Sequence, residues 1–169
     1  ALPIYKKETR KLSEVKKGYT YFKENDVIFA KITPCMQNGK SAISVGLTNG
    51  IGFGSTEFYV LRPSKLVLSK WIHYFVRNQY FLHEATNSFT GSAGQQRVPI
   101  SFLQSYIIPV PSLETQKKII QILDRKFAEW ETHQQELHDI QKRHELIKKH
   151  LSSITSSILN QAFIGKLLN

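Results

Sequence analysis

The sequence has only one cysteine, no long apolar run and a small share of acidic residues. A single thiol, Cys35, cannot form an internal disulfide, which excludes a disulfide-stabilised secreted scaffold. No stretch approaches the roughly 18 consecutive apolar residues of a membrane helix. No basic, apolar and small-residue pattern marks a secretory signal at the start. These absences predict a cytoplasmic protein that does not enter a membrane.

Positive charge is in clear excess. The 169 residues include 23 Lys and Arg against 13 Asp and Glu, a net charge of +10, and the pI is near 9.7. Residues 1–112 account for +8 of this charge and residues 113–169 for +2. The excess favours an anionic partner. Since no basic amphipathic helix carries it, nucleic acid is favoured over a membrane surface; a merely lysine-rich, solvated surface is the alternative.

Proline and glycine divide the chain at Pro111. All six prolines and eight of the nine glycines precede Ser112, and neither type occurs from Ser112 to Ile164. This shift predicts two domains, at 1–111 and 112–169. The predicted fold class is α+β, with a small mixed α/β domain followed by a long C-terminal α-helix.

Short apolar runs and turn residues predict the elements of the first domain. Strands are expected at 26–33, 41–45 and 57–61, a turn at Asn38-Gly39, helices from Ser69 (as N-cap) and over 80–85, a polar loop at 90–99 and a buried strand at 106–108. The glycine-rich stretch 50–54 is expected to be a tight loop.

The second domain is predicted to be one long helix with Ser112 as N-cap, Glu114 in its first turn and Gly165 as its stop. Steps of three and four residues define a heptad seam. Its members are Leu123, Lys126, Trp130, His133, Leu137, Ile140, His144, Ile147, Leu151, Ile154 and Ile158. Since the first domain offers no second long helix, we expect another chain to cover the seam. The alternative is that the first domain covers it, which would account only for the first turns.

Candidate chemistry fails on inspection. The stretch 34–41 resembles a phosphate-binding loop, but Pro34 stands where glycine is needed and a strand follows instead of a helix. Cys35 has no histidine partner in a known motif and is interpreted as a small core residue. The histidines at 133, 138, 144 and 150 lack the i, i+4 spacing of metal ligands on one helical face. We therefore predict no catalytic residue, no metal and no cofactor.

Two polar segments are candidates for contact with nucleic acid. Gln and Asn can bind adenine edges, Arg and Lys can bind guanine edges or phosphates, and Gly, Ser and Thr allow close backbone approach. The candidate residues are Lys31, Thr33, Gln37, Asn38 and Lys40 in the first segment, and Thr90, Ser92, Gln95, Gln96 and Arg97 in the second. The alternative is that both segments are ordinary solvated turns.

Five segments in this order give the chain a family resemblance. They are DVIFAKITPCMQNGK at 26–40, GSTEFYVLRP at 54–63, TGSAGQQRVP at 90–99, IPVPSLETQ at 108–116 and AFIGKL at 162–167. Together they are spread from residue 26 to residue 167, and the sequence resembles the specificity (S, HsdS) subunits of Type I restriction-modification systems. The resemblance implies a target recognition domain followed by a conserved spacer helix, with the change at Pro111.

The resemblance also implies a mechanism. An S subunit has no catalytic site; each recognition domain reads one half of a bipartite sequence in double-stranded DNA. Its spacer helices pair as an antiparallel coiled coil and dock methyltransferase (M) subunits, which methylate adenine, and restriction (R) subunits, which use ATP.

This chain departs from the family pattern in two ways. It has one recognition domain and one helix instead of two of each, which implies a homodimer or pairing with a second S half. It is also expected to lack the opening part of the recognition domain. The alternative is therefore a truncated fragment that acts only as an interaction or regulatory partner.

Overall fold

The computed structural model describes residues 8–15, 17–92 and 94–164. The chain divides into two compact units, the first ending at Ile120 and the second beginning at Gln121. The first unit combines short strands with short helices, and the described residues of the second continue one long helix. The predicted α+β class, a small mixed domain followed by a long C-terminal helix, is confirmed.

Five strands and five α-helices follow one another along the described residues. The strands are β1 (Thr20–Lys23), β2 (Val27–Ala30), β3 (Ser41–Ile43), β4 (Ile51–Gly54) and β5 (Phe58–Leu61). The helices are α1 (Leu12–Val15), α2 (Ser69–Phe75), α3 (Gln79–Asn87), α4 (Ile100–Ser105) and α5 (Leu113–Phe163). A short 3-10 turn at Thr48–Gly50 precedes β4.

The strands form two small antiparallel sheets. In one, β2 is central, with Val27 opposite Ile43 of β3 and opposite Leu61 of β5. In the other, β1 pairs with β4. The side chains of Val27, Ile28 and Phe29 are all buried, because a central strand covered on both faces needs a continuous apolar run. That run is what the sequence showed at this position.

Aromatic rings join the helices to the central strand. The Phe81 ring of α3 lies 5.7 Å from the Phe29 ring, 5.4 Å from the Phe75 ring of α2 and 5.1 Å from the Tyr106 ring. Phe102 of α4 joins the same cluster at 6.0 Å from Phe81. Such ring pairs add to the free energy of burial, and they make the helices a rigid support for the loops at the ends of β2.

Three of the four predicted strands and both predicted helices of the first domain are present. The strands are shorter than expected, and the second helix, α3, is longer. The turn at Asn38-Gly39 is confirmed, with Gly39 at a φ of 62°. Ser69 is not the N-cap of α2: that position belongs to Leu68, and the Ser69 hydroxyl donates to the Asn25 carbonyl at 2.7 Å.

The predicted strand at 106–108 is wrong. This segment is irregular; Tyr106 packs into the aromatic cluster, whereas Ile107 is 88% exposed. Pro109 and Pro111 have no N–H to donate to a ladder, and the Pro109 carbonyl accepts a hydrogen bond from the Trp71 indole at 2.9 Å.

The predicted loop at 50–54 is largely strand β4, and its partner β1 was not predicted. The two glycines of β4 allow the rings of neighbouring strands to approach. A Cβ on Gly52 would lie 2.3 Å from the Phe22 ring, and one on Gly54 would lie 2.7 Å from the Phe58 ring. Because the strand uses glycine where most strands use β-branched residues, it lacks the usual composition signal.

Helix α5 runs unbroken for 51 residues. The N-cap at Ser112 is confirmed, since its hydroxyl accepts a hydrogen bond from the Thr115 amide at 3.2 Å. The predicted stop at Gly165 lies outside the described residues. Among the helices of residues 8–15, 17–92 and 94–164, none combines the length and the apolar character that a bilayer would require.

A buried glutamine fixes the first turns of α5 within the first unit. The Gln116 amide oxygen accepts from the Leu68 N–H at 3.0 Å, and its amide nitrogen donates to the carbonyls of Leu66 and Pro111 at 2.8 Å each. One turn further on, Ile120 is buried. The compositional boundary at Pro111 thus marks the start of the helix, while its first two turns pack within the first unit.

Candidate nucleic-acid interface

The fold brings the two polar segments together. The Thr33 amide donates to the Gln96 carbonyl, and the Val98 amide donates to the Lys31 carbonyl, both at 3.0 Å. Ile32 and Arg97 form an isolated antiparallel bridge between these hydrogen bonds. Residues 31–33, which begin the first loop (31–40), are therefore held against residues 96–98, where the second loop (90–97) ends. Some 60 residues separate the two segments in sequence.

The second loop is closed at its base. The amides and carbonyls of Thr90 and Arg97 exchange hydrogen bonds of 3.1 and 2.9 Å, and the Gln95 amide donates to the Ser92 carbonyl. Gly91 has a φ of 108°, and a Cβ there would lie 3.1 Å from the Gln95 carbonyl oxygen. The turn therefore needs glycine at this position, and Thr90, Ser92 and Gln95 remain exposed on it.

Arg97 forms an ion pair that shapes this loop. Its Nε and Nη2 donate to the two carboxylate oxygens of Glu57, each at 2.8 Å, and its Nη1 donates to the Gln95 carbonyl at 2.7 Å. The Arg97 hydrogen bonds lower the pKa of Glu57, and the same carboxylate raises the pKa of Arg97. The guanidinium is thus bound on both sides, and it ties the second loop to the residue before β5.

Lys31 lies on the face of Tyr59, which belongs to β5. Its ammonium is 5.2 Å from the ring centroid, within the range of a cation–π contact. The Tyr59 hydroxyl donates to the Val98 carbonyl at 2.7 Å, and burial raises the pKa of this phenol. Tyr59 therefore fixes both Lys31 and the end of the second loop.

The first loop is anchored to the core through a buried side chain and through its own backbone hydrogen bonds. Met36 is buried in the core, and the Lys40 amide donates to the carbonyl of Cys35 at 3.0 Å. The Thr33 hydroxyl donates to the side-chain oxygen of Gln37 at 2.5 Å, which orients that amide. Cys35 is a free, half-buried thiol, so it is not the buried core residue that the sequence predicted.

The ten candidate residues differ in accessibility. Gln37, Asn38, Thr90, Ser92 and Gln95 are exposed, whereas Lys31, Thr33, Lys40, Gln96 and Arg97 are half-buried.

Backbone hydrogen bonds join residues 31–33 to residues 96–98, whereas Asn38 and Lys40 are bonded through their backbones within or next to their own loop. Their contact with nucleic acid stays a prediction.

Sequence reasoning missed Glu57 and Tyr59, which hold the two loops in place. A signal for Glu57 was available, because it is one of only two acidic residues between Val27 and Ser112. An isolated acid in a basic stretch indicates a structural ion pair. Tyr59 gave no such signal, since a tyrosine in a strand is ordinary.

The seam of α5 is a second candidate surface. Its apolar members from Trp130 to Ile158 are 52–60% exposed, and Leu123 is half-buried. From Arg125 to Ile164 every residue is exposed within this chain. The expectation that another chain covers this seam stays a prediction.

Neither surface has the make-up of a metal site. Within residues 8–15, 17–92 and 94–164, no group of three His, Cys, Asp or Glu side chains is placed to hold an ion. What both candidate surfaces offer is hydrogen-bonding, cationic and apolar contact.

A comparison with protein families bears directly on this arrangement. The model of the Type I restriction modification DNA specificity domain matches residues 2–142. The chain belongs to this family. The match spans both loops and more than half of α5, which is the combination that the resemblance in the sequence implied.

Two curated relatives in the family come from Escherichia coli. The chain is 40% identical over 152 residues to the Type I restriction enzyme EcoAI specificity subunit, and 38% identical over the same length to that of EcoEI. Each match covers 89% of this chain and 26% of the relative. The chain therefore spans about a quarter of the length of these specificity subunits.

A solved chain from a study of complex assembly and conformational transition of the type I R-M system also matches. It covers 88% of this chain and 33% of its own length, at 20% identity and a TM-score of 0.49. At that score the likeness adds nothing to the family assignment above.

Proposed function

We propose that this chain is a non-catalytic DNA-specificity module of a Type I restriction-modification system, which reads one half of a bipartite target in double-stranded DNA. The observation that carries the proposal is the family match over residues 2–142. The net charge of +8 in residues 1–112 supports it, because phosphate neutralisation supplies much of the affinity of DNA-binding proteins.

Both loops contribute side chains to DNA reading. The exposed amides of Gln37, Asn38 and Gln95 present donors and acceptors that match an adenine edge. Lys31 and Lys40 supply positive charge for phosphates. Arg97, whose guanidinium is already bound by Glu57 and Gln95, holds the loop in shape.

The long helix acts as a spacer. Its exposed seam pairs with a second helix of the same kind in an antiparallel coiled coil, which holds two reading modules a fixed distance apart. Methyltransferase and restriction subunits dock on this assembly and supply adenine methylation and ATP-dependent cleavage.

Fluorescence anisotropy with labelled duplex DNA tests the proposal across a series of salt concentrations. We expect binding whose logarithm falls linearly with the logarithm of salt concentration. Replacing Lys31 and Lys40 with alanine is expected to reduce that slope by about 2 in magnitude.

Replacing Lys142 and Lys149 with alanine is the matched control, because it removes the same charge from an exposed part of α5 and is expected to leave the slope unchanged. If the unmodified chain binds no duplex even at low salt, the DNA-reading function is wrong. An interaction or regulatory partner would then be the better description.

A further inference from the structure

Helix α2 runs along the three-stranded sheet towards the first loop. The hydroxyl of Ser69, its first residue, donates to the Asn25 carbonyl at 2.7 Å, two residues before β2 begins. One turn later, Nε2 of His73 lies 3.4 Å from the carbonyl oxygen of Ser41, the first residue of β3. Ser41 pairs with Phe29, near the end of β2. The last turn of α2 therefore reaches the end of the sheet from which the first loop leaves.

The connection between α2 and α3 packs directly against this loop. A Cβ on Gly39 would lie 3.7 Å from Cγ and 3.8 Å from Cα of Arg77, and 3.3 Å from the Leu82 side chain. Val76 and Leu82, on either side of the connection, are buried. The Asn38-Gly39 turn and the start of the connection therefore form one continuous surface.

Four consecutive exposed residues follow at this place: Arg77, Asn78, Gln79 and Tyr80. They are called the α2–α3 segment below. Tyr80 is 84% exposed, so its side chain projects from the surface. Residues 58–83 contain four Lys or Arg and no Asp or Glu, so the α2–α3 segment lies in a positive part of the sequence.

Side chains are the groups that this segment presents to a ligand. The Asn78 side chain caps α3 by accepting a hydrogen bond from the Tyr80 N–H at 2.8 Å, so this backbone donor is engaged within the protein. The side chains of Arg77, Gln79 and Tyr80 can each donate hydrogen bonds. A guanidinium has five N–H donors, so it can bind an anion while it keeps a contact within the chain.

We infer that the α2–α3 segment holds the DNA backbone beside the base pairs that the first loop reads. Arg77 binds one phosphate, and the Gln79 amide and the Tyr80 hydroxyl donate to the sugar-phosphate backbone next to it. The inference deepens the proposed DNA-reading function and rests on it. None of the three is among the ten candidate residues of the two loops, because the packing of α2 places them there.

The dimensions of duplex DNA favour a backbone contact at this place. The major groove is about 12 Å wide, so a loop that reaches base edges in it has a sugar-phosphate backbone on each side. The first loop presents the amides of Gln37 and Asn38 for the bases, and Arg77 lies against the next residue, Gly39. Phosphate contacts fix the position of a protein on DNA but carry no sequence information.

The salt dependence of DNA binding tests the contact, with fluorescence anisotropy as the measurement. Arg77→Ala is expected to lower the affinity for any duplex about tenfold and to reduce the slope against the logarithm of salt concentration by about 1 in magnitude. If that variant is unstable, Arg77→Gln keeps the stem and should reduce the slope equally. Tyr80→Phe removes a neutral donor, so affinity should fall roughly fivefold without a change in slope.

Lys65→Ala is the matched control. Lys65 is exposed and precedes α2, whose first residue contacts Asn25 and not the first loop. Loss of its charge is expected to leave affinity and slope unchanged. Thermal unfolding checks that each variant keeps its fold. Equal losses in Lys65→Ala and Arg77→Ala would show that net charge alone is responsible, which overturns the inference.

Two duplexes distinguish holding from reading: one selected from a random-sequence pool and one unselected. Arg77→Ala is expected to lower the affinity for both by the same factor, so their ratio stays unchanged. Asn38→Ala, in the first loop, is expected to lower the ratio. A lowered ratio in Arg77→Ala would mean that Arg77 reads a base, which contradicts a backbone contact.

Ethylation of single phosphates in the selected duplex gives a second measurement. Several ethylated positions are expected to block binding of the unmodified chain, and one of them should no longer matter for Arg77→Ala. The same set of positions in both chains overturns the inference and leaves the DNA-reading function intact. If the unmodified chain binds no duplex at all, both proposals are wrong.

Discussion

At the scale of single residues, Arg97 combines charge with geometry. Its planar fork binds the two oxygens of Glu57 while its remaining amine donates to the Gln95 carbonyl. A lysine keeps the charge but cannot form these directional contacts. The loop at 90–97 should therefore depend on arginine itself.

Replacing Arg97 with lysine is accordingly expected to lower DNA affinity nearly as much as replacing it with alanine. The measurements are anisotropy with duplex DNA and hydrogen exchange of residues 90–97, which should speed up in both variants. Full affinity and unchanged exchange in Arg97→Lys would show that only the charge matters.

Asp26 makes the stability of the first unit depend on pH. Burial alone would raise the pKa of this carboxyl, but hydrogen bonds from Arg62 and the Lys23 amide outweigh it, so the pKa is lowered. Two of these bonds come from the Arg62 guanidinium, at 2.8 and 2.7 Å. The ionised carboxylate therefore stabilises the fold above the unfolded pKa of about 4.

That contribution is expected to be complete at neutral pH and to be lost as the pH falls below about 4, through the lowered pKa of the folded state. Replacing Asp26 with asparagine should cost roughly 2 kcal/mol at neutral pH and flatten the acid side of the stability profile. Denaturation at several pH values measures both effects. Glu145→Gln, at an exposed carboxyl on α5, should leave the profile unchanged.

The sequence predicted which polar residues could form the candidate surface, because side-chain chemistry is visible in composition. It could not predict which of them would be engaged inside the protein. That Arg97 binds Glu57, 40 residues away, depends on the tertiary arrangement of β5 and the second loop.

At the scale of elements, the long helix was predictable from the sequence, whereas the two-stranded sheet of β1 and β4 was not. A seam with three- and four-residue steps, without glycine or proline, specifies a helix independently of tertiary contacts. Strand β4 depends on its neighbours: Phe22 of β1 and Phe58 of β5 can pack over it only because Gly52 and Gly54 have no Cβ. No local pattern encodes that relation.

Replacing Gln116 tests how the start of α5 is anchored. Replacing it with leucine removes three hydrogen bonds from a buried side chain and leaves their backbone partners without this contact, which should cost about 1–3 kcal/mol. Chemical denaturation at fixed protein concentration measures the loss. Gln121→Leu, at an exposed position of the same helix, should cost much less; equal losses would contradict the anchoring role.

Substitutions at two adjacent aliphatic residues, Leu146 and Ile147, test whether the seam is the dimer interface. Ile147 is 58% exposed and Leu146 is 54% exposed, yet only Ile147 lies in the heptad seam. Ile147→Asp should bury a charge in each half of the dimer and raise its dissociation constant at least about 100-fold. Leu146→Asp should leave the dimer intact. Sedimentation measures both, and equal behaviour would mean that the seam is not the interface.

At the scale of the whole molecule, the proposals combine into one geometry. In the proposed geometry, a basic unit reads DNA, and the pairing of two long helices relates it to a second copy by a two-fold axis. Two identical readers related in this way select a site with the same symmetry. The preferred DNA should therefore contain two inverted half-sites, separated by a gap whose length the helix pair fixes.

Selection of bound duplexes from a random-sequence pool tests this geometry most directly. The expected result is an enriched interrupted palindrome with one gap length. The Ile147→Asp variant, whose dimer is strongly weakened, should enrich single half-sites. Enrichment of no sequence at all, or of half-sites at variable spacing by the unmodified chain, would contradict the account.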